Sequence, residues 1–290
     1  MEDAVKIVEC PRDAWQGLPV QIPTEEKAAY LRDLIDAGFA HIDAVSFVSA
    51  AAVPQMADSE RVLELLGPAE GVEIIGIVVN RKGAERAIST GSVSTLGFPY
   101  SVSAEFLRRN QHQTPQESLQ ELETVGALAE DAGLDRAAYL SMAFGDPYGN
   151  EWSIGAVVDA CASLIDAGSR QISLADTVGL AAPQQIADTV ATVLEAHRGI
   201  ELGVHLHVRR DQAAALVRAA YDAGCRRFDA AIGGLGGCPF AQDALVGNLP
   251  TETLIAVLTE CGAALPKLAP FTGLLRASAE IAASCGTPVR

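Results

Sequence analysis

The chain is poor in positive charge. Its 290 residues carry 21 lysines and arginines against 37 aspartates and glutamates, a net charge of −16, and so acidic a balance argues against a nucleic-acid partner. An anionic ligand would then have to be held by local cations, helix N-termini or a bound metal ion. Also missing are an apolar run long enough to span a bilayer and any signal-peptide or Arg/Ser-rich transit pattern, so the expectation is a cytoplasmic protein with no membrane partner. The six cysteines, Cys10, Cys161, Cys225, Cys238, Cys261 and Cys285, are scattered without CxxC spacing. In a chain this large that disfavours both a disulfide framework and a zinc cluster. No Pro/Gly/Ser linker or low-complexity segment divides the sequence. No G-x-G-x-x-G follows the first strand-like run, which disfavours a doubly wound dinucleotide-binding sheet.

What is present is a 49% hydrophobic chain, able to bury a large core, in which short β-rich runs alternate with longer amphipathic stretches. Strands are expected near Val5 to Val8, Ile42 to Val45, Glu73 to Val79, Ser92 to Leu96, Ala138 to Met142, Gln171 to Leu174, Leu202 to His207 and Arg227 to Ala230. Helical segments include Thr24 to Ala37, Thr114 to Ala132, Ile154 to Ala167, Pro183 to His197 and Asp211 to Ala223. The phrases DAGFAHID, DAGSRQIS and DAGCRRFD share one form, a helix stopping at Ala-Gly before the next strand. This βα repeat predicts a (β/α)8 TIM barrel over residues 1–262, followed by a C-terminal helical extension over 263–290.

In such barrels, reactive residues sit at the C-terminal ends of the strands and in the loops that follow. GVHLHVRRD places His205 and His207 on alternate positions of the seventh strand, so both rings face one way and can converge on one ion. The plain alternative is a pair of hydrogen-bonded core histidines. Asp13, just beyond the first strand, and Asn248, ending the last Gly-rich loop, would complete a set of one carboxylate, two imidazoles and one amide oxygen. That set suits Mg2+ or Mn2+ as a Lewis acid, with Zn2+, Co2+ and Fe2+ left open. Asn80 and Lys82 in NRKG, together with Arg108 and Arg109, are candidates for contact with an anionic ligand or for plain solvated charge.

VECPRDAWQG, SFVSAAAVPQMAD, SVSAEFLRRN, SLADTVGLAAP, VHLHV, GGLGGCPFA and GNLPTE run in order from Val8 to Glu252. In register they resemble the signatures of the hydroxymethylglutaryl-CoA lyase family of metal-dependent lyase and synthase barrels. The resemblance implies an acyl-CoA thioester substrate, retro-Claisen cleavage to acetyl-CoA and a 3-oxo acid, and a homodimer working in leucine degradation and ketone-body metabolism. It implies Asp13, His205, His207 and Asn248 as metal ligands and Arg12 as the group that stabilises the departing thioester enolate. It also implies Cys238 as a proton-transfer residue and Asp176 as a catalytic carboxylate, although Asp176 could simply cap the helix that follows it. The chain departs from the family at Ala14 and Trp15, where Gly-Leu is usual, at Asp43, where the family carries a catalytic Glu, at Ala175 and at Val208. Trp15, beside the Arg-Asp pair, is expected to lie near the acyl group and shift substrate preference.

Other readings are a condensing synthase or oxo-acid aldolase of the same superfamily, an amidohydrolase-type metal hydrolase, and an acyl-CoA-binding barrel with decayed activity. The GGCPFA loop speaks against the first. The position of HxH on strand seven speaks against the second. Retention of Arg12, the four ligand candidates and Cys238 speaks against the third.

Overall fold

The computed structural model describes residues 4–149, 151–236 and 246–285; Cys238 lies outside them. Eight parallel strands close on themselves: β1 (Lys6–Glu9), β2 (His41–Ser46), β3 (Glu73–Ile77), β4 (Thr95–Ser101), β5 (Asp135–Ser141), β6 (Gln171–Asp176), β7 (Glu201–Val208) and β8 (Arg227–Ala230), with β8 pairing back to β1. The principal outer helices are α2 (Thr24–Asp36), α3 (Ser59–Leu66), α4 (Arg81–Ser89), α6 (Pro115–Ala132), α7 (Ile154–Asp166), α8 (Pro183–Ala196), α9 (Ala213–Asp222) and α10 (Thr251–Glu260). This is the TIM barrel expected from the βα repeat. The three Ala-Gly stops work as read: Gly38, Gly168 and Gly224 have φ of 95°, 89° and 101°, where an L side chain is strained, and each turns the chain from a helix into β2, β6 or β8. α11 (Thr272–Ser284) follows the barrel, packing against α2 and the turn after β8, where the Ser278 hydroxyl donates to Ile232 O at 3.0 Å.

The bore is layered. The first residues of seven strands form its floor, where Lys6 Nζ pairs with Glu73 at 2.9 Å and Glu201 at 3.1 Å, His41 Nδ1 and Thr95 Oγ1 each meet Glu73 at 2.7 Å, and Arg227 Nη1 donates to Gln171 at 3.0 Å. Above this charged floor Val8, Cys10, Ile75, Ile77, Ala137 and Tyr139 make an apolar layer. Burial on both faces explains why these strands read as apolar runs rather than clean alternations.

Three local features differ from the sequence reading. The fourth strand lies at Thr95–Ser101 rather than Ser92–Leu96. Its pairing with β3 ends at Gly97 while β5 continues beside it to Ser101, so Pro99 falls where one edge of the strand is free. The PRDAWQ segment is not a loop but the short helix α1 (Pro11–Gln16), started by Pro11, whose fixed φ suits a first helical turn. Third, Trp15 does not approach the barrel mouth. It is 2% exposed, belongs to the main core between barrel and helices, and meets Tyr30 edge-on at 5.4 Å between centroids. Trp15 stands two residues past Asp13, about 200° further round the helix, so with Asp13 turned to the bore the indole faces the core instead.

Trp15→Ala is therefore a cavity mutation, expected to cost roughly 3–5 kcal/mol in urea unfolding. Trp15→Leu should leave the ratio of kcat/KM between methyl and longer-branched substrates where it was; a moved ratio would return Trp15 to the substrate pocket.

Candidate functional site

Three elements deliver four polar side chains to the C-terminal mouth of the barrel. β7 presents His205 and His207 on one face; α1 supplies Asp13; and β9 (Gly247–Asn248), which pairs antiparallel with β7, sets Asn248 directly opposite His207. All four are buried. Asp13 Oδ2 lies 3.3 Å from His207 Nε2 and 3.8 Å from His205 Nε2, and the two Nε2 atoms are 3.4 Å apart. Asn248 Nδ2 donates to Asp13 Oδ2 at 2.9 Å, so coordination by Asn248 requires its amide to turn Oδ1 inward.

The outer sides of the rings determine what the inner sides offer. His207 Nδ1 is 2.9 Å from the Thr177 carbonyl, which only a protonated nitrogen can satisfy, leaving Nε2 bare. His205 Nδ1 faces Asp229 Oδ2 at 3.5 Å. Two imidazole Nε2 atoms and a carboxylate oxygen converge in a buried space, and a cation among them would give all three one shared partner. Asp13, His205 and His207 are the cluster of three among the described residues able to hold a metal ion. The donor set fits a divalent cation. Burial raises the Asp13 carboxyl, but Arg12 first and then the two histidines outweigh it and hold it well below the usual range. For His205, burial disfavours the charged form, while Asp229 and Asp13 outweigh it and raise the pKa above an ordinary histidine's.

Arg12 is fixed on three sides. Its Nε donates to Asp43 Oδ1 at 3.0 Å and its Nη2 to Asp43 Oδ2, a bidentate pair from the end of α1 to β2, while Nη1 reaches Asp13 Oδ1 and Gln16 Oε1, each at 3.0 Å. Asp43 is 0% exposed. Burial raises its carboxyl against the pull of Arg12. The Asp in place of Glu thus still closes on the guanidinium, because Arg12 lies near enough for the shorter side chain.

Asp176 ends β6 with both oxygens engaged: Gly179 N, Leu180 N and Ala181 N donate to it at 2.9, 3.0 and 2.9 Å. It thereby shapes the loop whose Thr177 carbonyl orients His207. Burial raises its carboxyl, opposed by these N–H groups. Asn80 caps α4, accepting from Gly83 N at 2.9 Å, and Lys82 is exposed on the same helix. Arg109, in α5 (Ala104–Asn110), pairs with Glu105 at 2.5 Å and lies 4.5 Å over the Tyr148 ring. The structure does not bring these three to the buried cluster; they occupy the outer rim after β3 and β4.

The loop after β8 is held down by two carboxylates that the sequence reading did not single out. Glu9 accepts from Ile232 N at 2.7 Å and Thr251 Oγ1 at 2.6 Å, and Glu252 accepts from Gly233 N at 3.0 Å. The loop then passes so close to α1 that a Cβ at Gly236 (φ 86°) would stand 2.7 Å from Ala14 Cα and 3.0 Å from Asn248 Nδ2. Glycine is required there by both conformation and space.

Comparison with known proteins identifies the family. The HMGL-like family matches residues 4–279. The chain belongs to that family. It is 37% identical over 261 residues to the mitochondrial hydroxymethylglutaryl-CoA lyase of Rattus norvegicus, covering 89% of this chain and 79% of that one. It is 33% identical over 250 residues to the hydroxymethylglutaryl-CoA lyase YngG of Bacillus subtilis, covering 86% and 83%. The structure of an HMG-CoA lyase from Acinetobacter baumannii in complex with coenzyme A and 3-methylmalate superimposes with a TM-score of 0.90 at 31% identity, covering 100% of this chain and 93% of that one.

Within this HMGL-like barrel, Glu9 was legible only as the Glu of the VEC phrase, and Thr177, which acts through its carbonyl, left no sequence signal. Glu9 has a thermodynamic signature. Burial, outweighing its two hydrogen bonds, pushes its carboxyl up to about 8. A raised carboxyl favours the neutral form in the fold, so its contribution is intact below the unfolded value near 4.5 and is lost as pH rises through about 8. Glu9→Gln should gain on the wild type between these limits by a few kcal/mol, on the order of 1.4 per pH unit, in urea titrations at pH 5 and 8.5. A pH-independent difference would contradict the shift.

Proposed function

We propose that the chain cleaves 3-hydroxy-3-methylglutaryl-CoA to acetyl-CoA and acetoacetate, with a divalent cation, Mg2+ or Mn2+, held by Asp13, His205, His207 and Asn248. The carrying observation is the convergence of two imidazole Nε2 atoms and the Asp13 carboxylate beside a guanidinium locked by Asp43. The 31% identical Acinetobacter lyase, with coenzyme A and a hydroxy diacid bound, supports a CoA thioester of a branched hydroxy acid as substrate. In the retro-Claisen step the tertiary alcohol loses its proton, the bond between the carbinol carbon and the thioester α-carbon breaks, and the electron pair becomes a thioester enolate that takes up a proton. When bound, the cation lowers the alcohol pKa and neutralises the oxyanion.

The remaining work falls to this chain's own side chains. The Arg12 guanidinium, always protonated and held by Asp43, is preorganised for negative charge that appears on the thioester oxygen only as the bond breaks, and such an interaction accelerates reaction rather than merely binding substrate. Cys238, outside the described residues, is the proposed proton donor to the enolate; a thiol with an ordinary pKa near 8.5 suits proton transfer near neutral pH. Asp176, by fixing the loop around Thr177, supports His207. Asn80, Lys82 and Arg109 on the rim are proposed to meet the CoA phosphates. A cytoplasmic homodimer completes the proposal, its oligomeric state readable by sedimentation velocity. Among the described residues no helix is long and apolar enough to cross a membrane.

A coupled assay of acetyl-CoA release from the methyl substrate tests the reaction. His207→Ala should abolish activity and weaken Mn2+ binding in calorimetry while circular dichroism stays unchanged; undiminished affinity would remove His207 from the metal site. Arg12→Lys keeps the charge but loses the planar fork, and should lower kcat by about 10²–10³ with little change in KM. Cys238→Ser should also act on kcat; equal losses in kcat and KM would make the residue structural.

A further inference from the structure

Below the four ligand candidates, the bore holds a second set of charged groups to which the proposed reaction assigns no task. Asp229, 1% exposed on β8, stands level with His205 in the β7–β8 ladder. Its Oδ2 accepts from Ser173 Oγ on β6 at 2.7 Å and faces His205 Nδ1 at 3.5 Å, and its Oδ1 meets Arg227 Nε at 3.4 Å. Arg227, itself 1% exposed, is anchored to the floor through Gln171 and Glu201. Its side chain lies across Gly203, where a Cβ would stand 2.8 Å from it. A buried ion pair is a costly way to stabilise a barrel; its place behind one ligand suggests another purpose. His207 receives its orientation from the Thr177 carbonyl, but among the described residues no carbonyl does this for His205.

We infer that Asp229 is the positioning carboxylate of His205, fixing the ring with Nε2 toward the cation, and that Ser173 and Arg227 in turn fix Asp229. This assignment rests on the metal-centre reading. A carboxylate behind a ligating imidazole sets both its tautomer and its basicity, and its loss weakens metal binding without removing a ligand. The two histidines are thus oriented by unlike devices: a backbone carbonyl for His207 and a side-chain relay, Arg227–Asp229–His205, for its neighbour. Only the second can be altered by substitution without changing the backbone.

The test uses the full chain and Mn2+ alone. Asp229→Asn should bind Mn2+ about 10- to 100-fold more weakly in calorimetry. In 15N-histidine-labelled protein saturated with Mg2+, the ring N–H proton of His205 should move upfield, because its charged acceptor is gone. Ser173→Ala, which removes only the hydroxyl that holds Oδ2, should show both effects to a smaller degree. Should Asp229→Asn alone not fold, Arg227→Met/Asp229→Asn removes both charges, leaves no lone buried ion, and should show the same loss of affinity. Mn2+ affinity and the His205 proton unchanged in folded Asp229→Asn or the double variant would overturn the assignment and leave the metal centre standing. A wild type that does not bind Mn2+ would overturn both.

Discussion

The mouth of the barrel is organised around one carboxylate. Asp13 Oδ1 receives Arg12 Nη1 at 3.0 Å and Gln16 Nε2 at 2.8 Å, while Oδ2 receives Asn248 and faces both histidines. A group of one negative charge thus meets a guanidinium on one side and the metal-ligand candidates on the other. Burial would make it costly, and the cations around it make its ionised form the stable one. Because Asp13 and Arg12 are neighbours on one short helix, the proposed cation site and the group proposed for the leaving enolate are mounted on the same element.

Distance between parts is set by the way that helix is seated. α1 starts directly from β1 through Pro11, and Asp43 on β2 grips Arg12 from the side. The Gly-rich loop crosses above with room at Gly236 for no side chain. Trp15 secures the opposite face of α1 against Tyr30. A larger residue than the family's usual Leu therefore bears on how firmly the helix is mounted, and the shape of the acyl pocket is left to other residues.

The bore separates charge into two levels with an apolar layer between. In the floor network Lys6 and Arg227 pair with Glu73 and Glu201, whereas the upper cluster is short of positive charge at the point where three donor atoms meet. Arg227 and Asp229 connect the two levels past the apolar layer. A buried ion pair is a costly way to hold strands that their own ladders already join, so its position behind His205 carries weight.

Much of this was present in local sequence. Ala-Gly helix stops demand a left-handed residue, buried strands demand apolar runs, and a period of two places His205 and His207 on one face whatever surrounds them; barrel, strand order and ligand candidates follow from such short-range rules. The seven motifs added Arg12 and Cys238, and the family match bears out the resemblance they carry. Residues acting through contacts distant in sequence were not legible. Asp229 lies 24 positions after His205 and 56 after Ser173; only the pairing of β6, β7 and β8 brings them together. Thr177 contributes a carbonyl, which every residue has. The side of α1 that Trp15 occupies depends on the helix's rotation against β2, fixed by the Arg12–Asp43 pair and not by the residues beside it. Sequence alone determined which groups could do the chemistry, because their types and local geometry are encoded within a few residues. Tertiary structure decided which way each one points, because orientation is set by partners on neighbouring strands and loops that lie far away in sequence.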